Sequence, residues 1–98
     1  MPDRIRSVAR VERWIENEFE YLARRSPAAG GRFLDRVETA RRLLSEYPLL
    51  GRTTEMQDIR HLVVPPYVVT YRVSGFDVVI VDIRHERQAE RPPPEENG

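Results

Sequence analysis

An α+β domain, with a two-helix antiparallel hairpin packed on a small antiparallel β-sheet, is the fold class this sequence predicts. Three observations carry that expectation. The first half of the chain repeats its apolar residues at steps of three and four, the period of a helix with one buried face. Ser26-Pro27 interrupts that pattern once, with the residue pair suited to ending one helix and starting another. The second half is crowded by valine-rich runs cut by Pro65-Pro66 and by Ser74-Gly75-Phe76-Asp77, as in an antiparallel meander.

Residues 7–25 form the first expected helix. Val8, Val11, Ile15, Phe19 and Leu22 make one apolar stripe, and Ser7 is the candidate N-cap. Trp14, Glu18 and Tyr21 form a second stripe beside it, either the margin of the core or a binding surface. The second helix covers residues 27–46, with Phe33, Leu34, Val37, Ala40, Leu43 and Leu44 as its stripe. Gly30-Gly31 in its first turn costs roughly 1 kcal/mol per glycine relative to alanine, so fraying is expected there. Pro48 stops the helix, and Leu49-Leu50-Gly51-Arg52 makes the exit turn.

Three strands are expected at residues 59–64, 67–73 and 78–84, with Arg4-Ile5-Arg6 a possible short N-terminal edge strand. In the last strand Val79, Val81 and Ile83 share one face, and Val78, Ile80, Asp82 and Arg84 the other. Phe19, Leu22, Phe33, Val37, Leu44, Val69, Tyr71, Val79 and Val81 are the expected buried set. Arg72 and Asp82 are placed to pair across the hairpin. Residues 91–98, RPPPEENG, are Pro-rich, charged and apolar-free, and are expected to be disordered. The 98 residues therefore divide into a single domain over residues 1–90 and a tail.

Composition narrows the chemistry. With no cysteine, a disulfide scaffold, a zinc ribbon and a thiol nucleophile are all excluded. His61 and His85 stand at no metal-ligand spacing, so neither a metal nor a cofactor is expected. Formal net charge is zero, which argues against direct sequence-specific nucleic-acid binding. All 16 basic side chains are Arg, a usage that GC-rich codons produce and that excludes a lysine general base. Met1-Pro2-Asp3-Arg4 leads into no apolar stretch, so neither a signal peptide nor a membrane span is expected, and the expected location is the cytoplasm.

The order of features, from the SP boundary through YPLLGR and RHLVVPPYVVTYRV to the closing RHERQ, resembles the ParE branch of the RelE/ParE toxin superfamily over about residues 7–90. That resemblance implies a toxin of a type II toxin–antitoxin system. Such a toxin is neutralised by a cognate ParD-like antitoxin in a hetero-oligomeric complex, and it inhibits DNA gyrase and replication. The family's antitoxin tail folds on contact, as a helix over the hairpin and a strand added to the sheet. RelE-like relatives are instead ribosome-dependent, metal-independent mRNA endonucleases. These are similar in carrying an Arg early in the central strand, where this chain has Val68. A degenerate antitoxin-binding module without toxicity is the third reading. Arg60, Arg84, His85 and Arg87 are the candidate target contacts, because cationic and titratable side chains at a strand's end can be aimed at a phosphate or an acidic partner. Trp14, Glu18, Tyr21, Leu49 and Leu50 are the candidate antitoxin contacts. Relatives often carry Gly between the His and Arg of the closing segment. Glu86 stands there instead and changes the local charge.

Overall fold

Residues 4–87 are described by a computed structural model of the chain. In chain order they form β1 (Ile5–Ser7), α1 (Ala9–Arg25), α2 (Pro27–Glu46), β2 (Arg52–Thr53), β3 (Ile59–Val64), β4 (Tyr67–Ser74) and β5 (Asp77–His85). The five strands make one sheet in the order β1-β5-β4-β3-β2. The expected α+β class and the helix hairpin are present. The sheet is wider than the meander, because β2 and β1 extend it on either side. It is also mixed, since β1 runs parallel to β5 while the other neighbours are antiparallel. The expected tail at residues 91–98 lies outside the described residues.

Helix boundaries follow local chemistry where it is strong. The Ser26 hydroxyl accepts the Ala29 N–H at 3.2 Å and Pro27 opens α2, as the sequence predicts. At the far end the Tyr47 N–H donates to the Leu43 carbonyl, and Pro48 prevents another turn. The start of α1 differs from expectation. Ser7 belongs to β1, the cap residue is Val8, and no side chain caps the helix. The Val8 N–H donates instead to the Ile80 carbonyl on β5, so sheet pairing decides where the strand ends and α1 begins.

The glycine pair does not fray α2, which is helical from Pro27 onward. Gly30 is buried, and a Cβ built there would stand 3.0 Å from the Ala23 Cβ and 3.1 Å from Phe19 Cε1. Its missing side chain lets α1 and α2 approach, which offsets the propensity cost.

The core lies between the helices and one face of the sheet. Val11, Ala40 and Leu44 meet Leu62, Val64, Val69, Tyr71, Val78, Ile80 and Ile83. Phe33, Leu44, Val69 and Tyr71 are buried as expected, whereas Phe19, Leu22, Val37, Val79 and Val81 are only half-buried. The error in β5 has one cause. Tyr71 pairs with Ile80 while the preceding Thr70 pairs with Asp82, so Val81 is an extra residue in a β-bulge. Before the bulge Val78 and Ile80 face the core, and after it Ile83 does. A one-residue insertion exchanges the faces, which uniform alternation does not foresee.

Candidate functional site

The bulge shapes the surface at the end of β5. Arg10, on the first turn of α1, donates from Nη2 to the Val81 carbonyl at 2.7 Å. Its Nη1 reaches Asp82 Oδ1 at 3.3 Å, and Arg84 Nε donates to the other oxygen, Oδ2, at 2.9 Å. One carboxylate thus holds two guanidiniums, one from the helix and one from the strand. The expected Arg72–Asp82 pair does not form. The bulge sets Arg72 opposite Val79 and Asp82 opposite Thr70, and Arg72 pairs with Asp58 at 3.5 Å.

His85 is the last residue of β5, opposite Tyr67. Its ring stands edge-on to the Tyr67 ring at 5.5 Å, and its Nδ1 accepts the Arg87 N–H at 3.1 Å. The neighbouring Glu86 N–H donates to the Pro66 carbonyl at 2.6 Å, which ties this end of the strand to the β3–β4 turn. Arg84, His85 and Arg87 are therefore held together on anchored backbone, and Arg84 and Arg87 are exposed. Tyr67 itself packs edge-on against Phe33 and Trp14 at 5.3 and 6.3 Å. Burial pushes its phenol above the usual value, the Glu18 carboxylate adds to that, and Arg36 opposes it. Val68, beside Tyr67, is half-buried opposite Arg84.

Arg60 is elsewhere. It pairs with Tyr71, which places it about 13 Å along β4 from Tyr67. Its Nη1 donates to the Leu49 carbonyl at 3.0 Å and the Gly51 carbonyl at 2.8 Å. The buried Tyr71 hydroxyl completes this clamp by donating to the Pro48 carbonyl and accepting the Gly51 N–H, each at 2.8 Å. The exit turn is thereby fixed with Leu49 and Leu50 facing outward. His61 Nδ1 lies 2.9 Å from the Thr70 hydroxyl and is half-buried, away from the β5 cluster.

The candidate antitoxin contacts also fall into two places. Trp14 and Glu18 are half-buried along α1, Trp14 against Phe33 and Tyr67. Tyr21 is exposed, with Arg25 bonded to its hydroxyl at 2.9 Å and over its ring at 5.2 Å. Leu49 and Leu50 belong to the clamped turn. No local pattern in the sequence connects Arg10 on α1 to a bulge in the last strand. Among the described residues, no cluster of His, Cys, Asp or Glu fits a metal ion, and no helix is long and apolar enough to cross a membrane.

The model of one family, the ParE toxin of the type II toxin–antitoxin system parDE, matches residues 8–90. Toxin RelE2 of Caulobacter vibrioides is 42% identical over 66 residues, which cover 67% of this chain and 75% of that protein. Among solved structures, the chromosomal ParDE TA system from P. aeruginosa shares the fold with a TM-score of 0.67. That match covers 83% of this chain and 92% of the other at 16% sequence identity.

Proposed function

Because this chain belongs to the ParE toxin family of type II toxin–antitoxin systems, we propose that it inhibits DNA gyrase and is neutralised by a ParD-like antitoxin. The observation that carries this reading is the end of β5. Arg84 and Arg87 are exposed on backbone tied to the β3–β4 turn, beside a half-buried Val68. Such a surface suits recognition of an acidic protein face, because guanidiniums on a rigid scaffold lose little freedom on contact. RNA cleavage without a metal demands a general base, a general acid and cations around one phosphate. Here Val68 stands where RelE-like nucleases are similar in having Arg, and Arg60 is directed into the exit turn. The antitoxin is assigned to the Trp14–Glu18–Tyr21 side of α1 and to the Leu49–Leu50 turn. Gyrase as target makes the cytoplasm the site of action.

One observation favours the nuclease reading: the relative that is 42% identical bears a RelE name. Expression of this chain in bacteria, with and without the antitoxin, separates the two. Gyrase poisoning gives growth arrest with a DNA-damage response, and the purified chain then inhibits gyrase supercoiling. Rapid cleavage of messengers within translated codons would overturn the gyrase reading in favour of the nuclease. Unimpeded growth without the antitoxin would make the chain a binding module.

A further inference from the structure

A cavity of about 390 Å³ opens where the end of α2 meets β1 and the β4–β5 turn. Leu44 and Val78 form its buried floor, and Ile5 and Pro48 are half-buried at its sides. Its polar lining, Arg4, Ser45 and Glu46, is exposed. At its rim stands Phe76, at 73% the most exposed large apolar side chain among the described residues. Ser74 pairs with Asp77, so Gly75 and Phe76 make a two-residue turn, and Gly75 has a φ of +63°. Glycine first in such a turn matches the twist of the two strands, which fixes the backbone that carries Phe76. The surface therefore sets an aromatic knob beside an apolar hole.

We propose that two copies of this chain associate about a two-fold axis, with Phe76 of each copy seated in the cavity of the other. A two-fold interface uses the same patch twice, so the patch must complement itself in shape and in charge. The knob and the hole lie side by side, which meets the first demand. Glu46 forms no ion pair among the described residues, and the last turn of α2 carries no basic residue to offset the partial negative charge of its end. Arg4 reaches Asp77 only at 3.8 Å, beyond hydrogen-bond range, and keeps donors for another carboxylate. Arg4 of one copy and Glu46 of the second thus supply what each lacks. A small molecule fits less well, although the volume lies within the roughly 300–1,000 Å³ of such sites. The buried part of the lining is apolar, so no polar group inside orients a ligand. Arg84 lies roughly 20 Å along β5 from Asp77, so the surface assigned to gyrase stays uncovered in the dimer.

Sedimentation velocity of the full chain, without antitoxin, tests this from about 10 μM to about 1 mM, because one cavity per copy makes a small contact and small interfaces are weak. A reversible rise from monomer toward dimer is expected over that range. Phe76→Asp should weaken association about tenfold or more, since it sets a charge against an apolar floor. Arg4→Glu and Glu46→Arg should each weaken it as well. The double variant Arg4→Glu, Glu46→Arg should restore it, a rescue that loss of folding cannot produce. All these positions are exposed, so the circular dichroism should not change. Three results overturn the proposal: a monomer throughout, Phe76→Asp associating as tightly as the natural chain, or a double variant no tighter than the single ones. Saturable binding of an apolar dye by such a monomer, lost in Phe76→Asp, would give the cavity to a small ligand instead. None of these readouts involves gyrase or growth, so failure here is separable from failure of the toxin reading.

Discussion

Arg60 on β3 and Arg84 on β5 flank β4, and their guanidiniums meet different partners. Arg60 bonds two main-chain carbonyls in the exit turn, together with a tyrosine that is fully buried. Arg84 bonds a carboxylate that Arg10 also holds, and its side chain remains 45% exposed. The difference lies in what each strand has beside it. β3 runs past a turn that leaves carbonyls without helical partners, so a long donor there acts as part of the fold. The outer half of β5 extends past β1, which pairs only with Val78 to Ile80, so a cation there faces a helix and solvent. The same residue type braces the exit turn in the first region and stays partly exposed beside Asp82 in the second.

That contrast is tested first where it predicts the largest loss. A Cβ at Gly51 would stand 2.6 Å from the His61 carbonyl oxygen and 2.7 Å from the Tyr71 hydroxyl. Gly51→Ala should cost about 3 kcal/mol, measured by urea unfolding, since the close neighbours are backbone and a buried ring. A loss below about 1 kcal/mol would show that the turn shifts freely and is not clamped. Tyr71→Phe should cost about 2 kcal/mol, because it leaves the Gly51 N–H without its partner. The same phenol gives a pH signature. Burial raises its pKa above the ordinary 10, against the opposing pull of the Gly51 N–H and Arg60. Above pH 10 the unfolded chain releases the proton while the folded chain keeps it, so stability falls as pH rises further. Tyr71→Phe should reduce that alkaline fall and leave the part owed to Tyr67, whose phenol is also raised.

Much of this architecture is legible in the sequence, and the pattern of misses has a physical cause. α2 and β3 run over the expected residues because Ser26-Pro27, Pro48 and Pro65 are local stops that need no tertiary help. β2 was not expected, and β1 lies one residue later than expected. Strands of two and three residues carry too little pattern and form only because a neighbour pairs with them. The core face of β5 departs from uniform alternation at the Val81 bulge, which nothing in the local pattern announces. The site shows the same division. Arg84, His85 and Arg87 are close in sequence and group on sight, whereas the Arg10–Asp82 contact spans α1 and β5. For Arg60, composition cannot tell a donor to backbone from a donor to a partner.

Arg60→Ala should fall below the two clamp variants, at about 1.5 kcal/mol. Its bonds are charge-assisted but partly exposed to water, and the Tyr71 hydroxyl still holds the turn. Toxicity should follow the remaining folded fraction and recover when the chain is stabilised. Toxicity lost with an unchanged unfolding midpoint would instead move Arg60 to the recognition surface and break the contrast.

The smallest stability change is expected in the Arg84→Ala, Arg87→Ala double variant, at about 0.5 kcal/mol or less. Asp82 keeps Arg10 when Arg84 is removed, so no carboxylate is stranded, and the Arg87 N–H that binds His85 belongs to the backbone and survives. The functional change should be the opposite in size, with growth arrest abolished, if the exposed guanidiniums meet the target as proposed, because charge-assisted bonds to it would then be lost. His85→Ala then sharpens the mechanism. A general acid or base typically contributes about 10²–10⁴-fold in rate, so a modest loss of toxicity is expected if the imidazole only borders the contact. Full toxicity in a stably folded double variant would place the active surface away from β5, and the division between a structural and a recognising arginine would no longer hold.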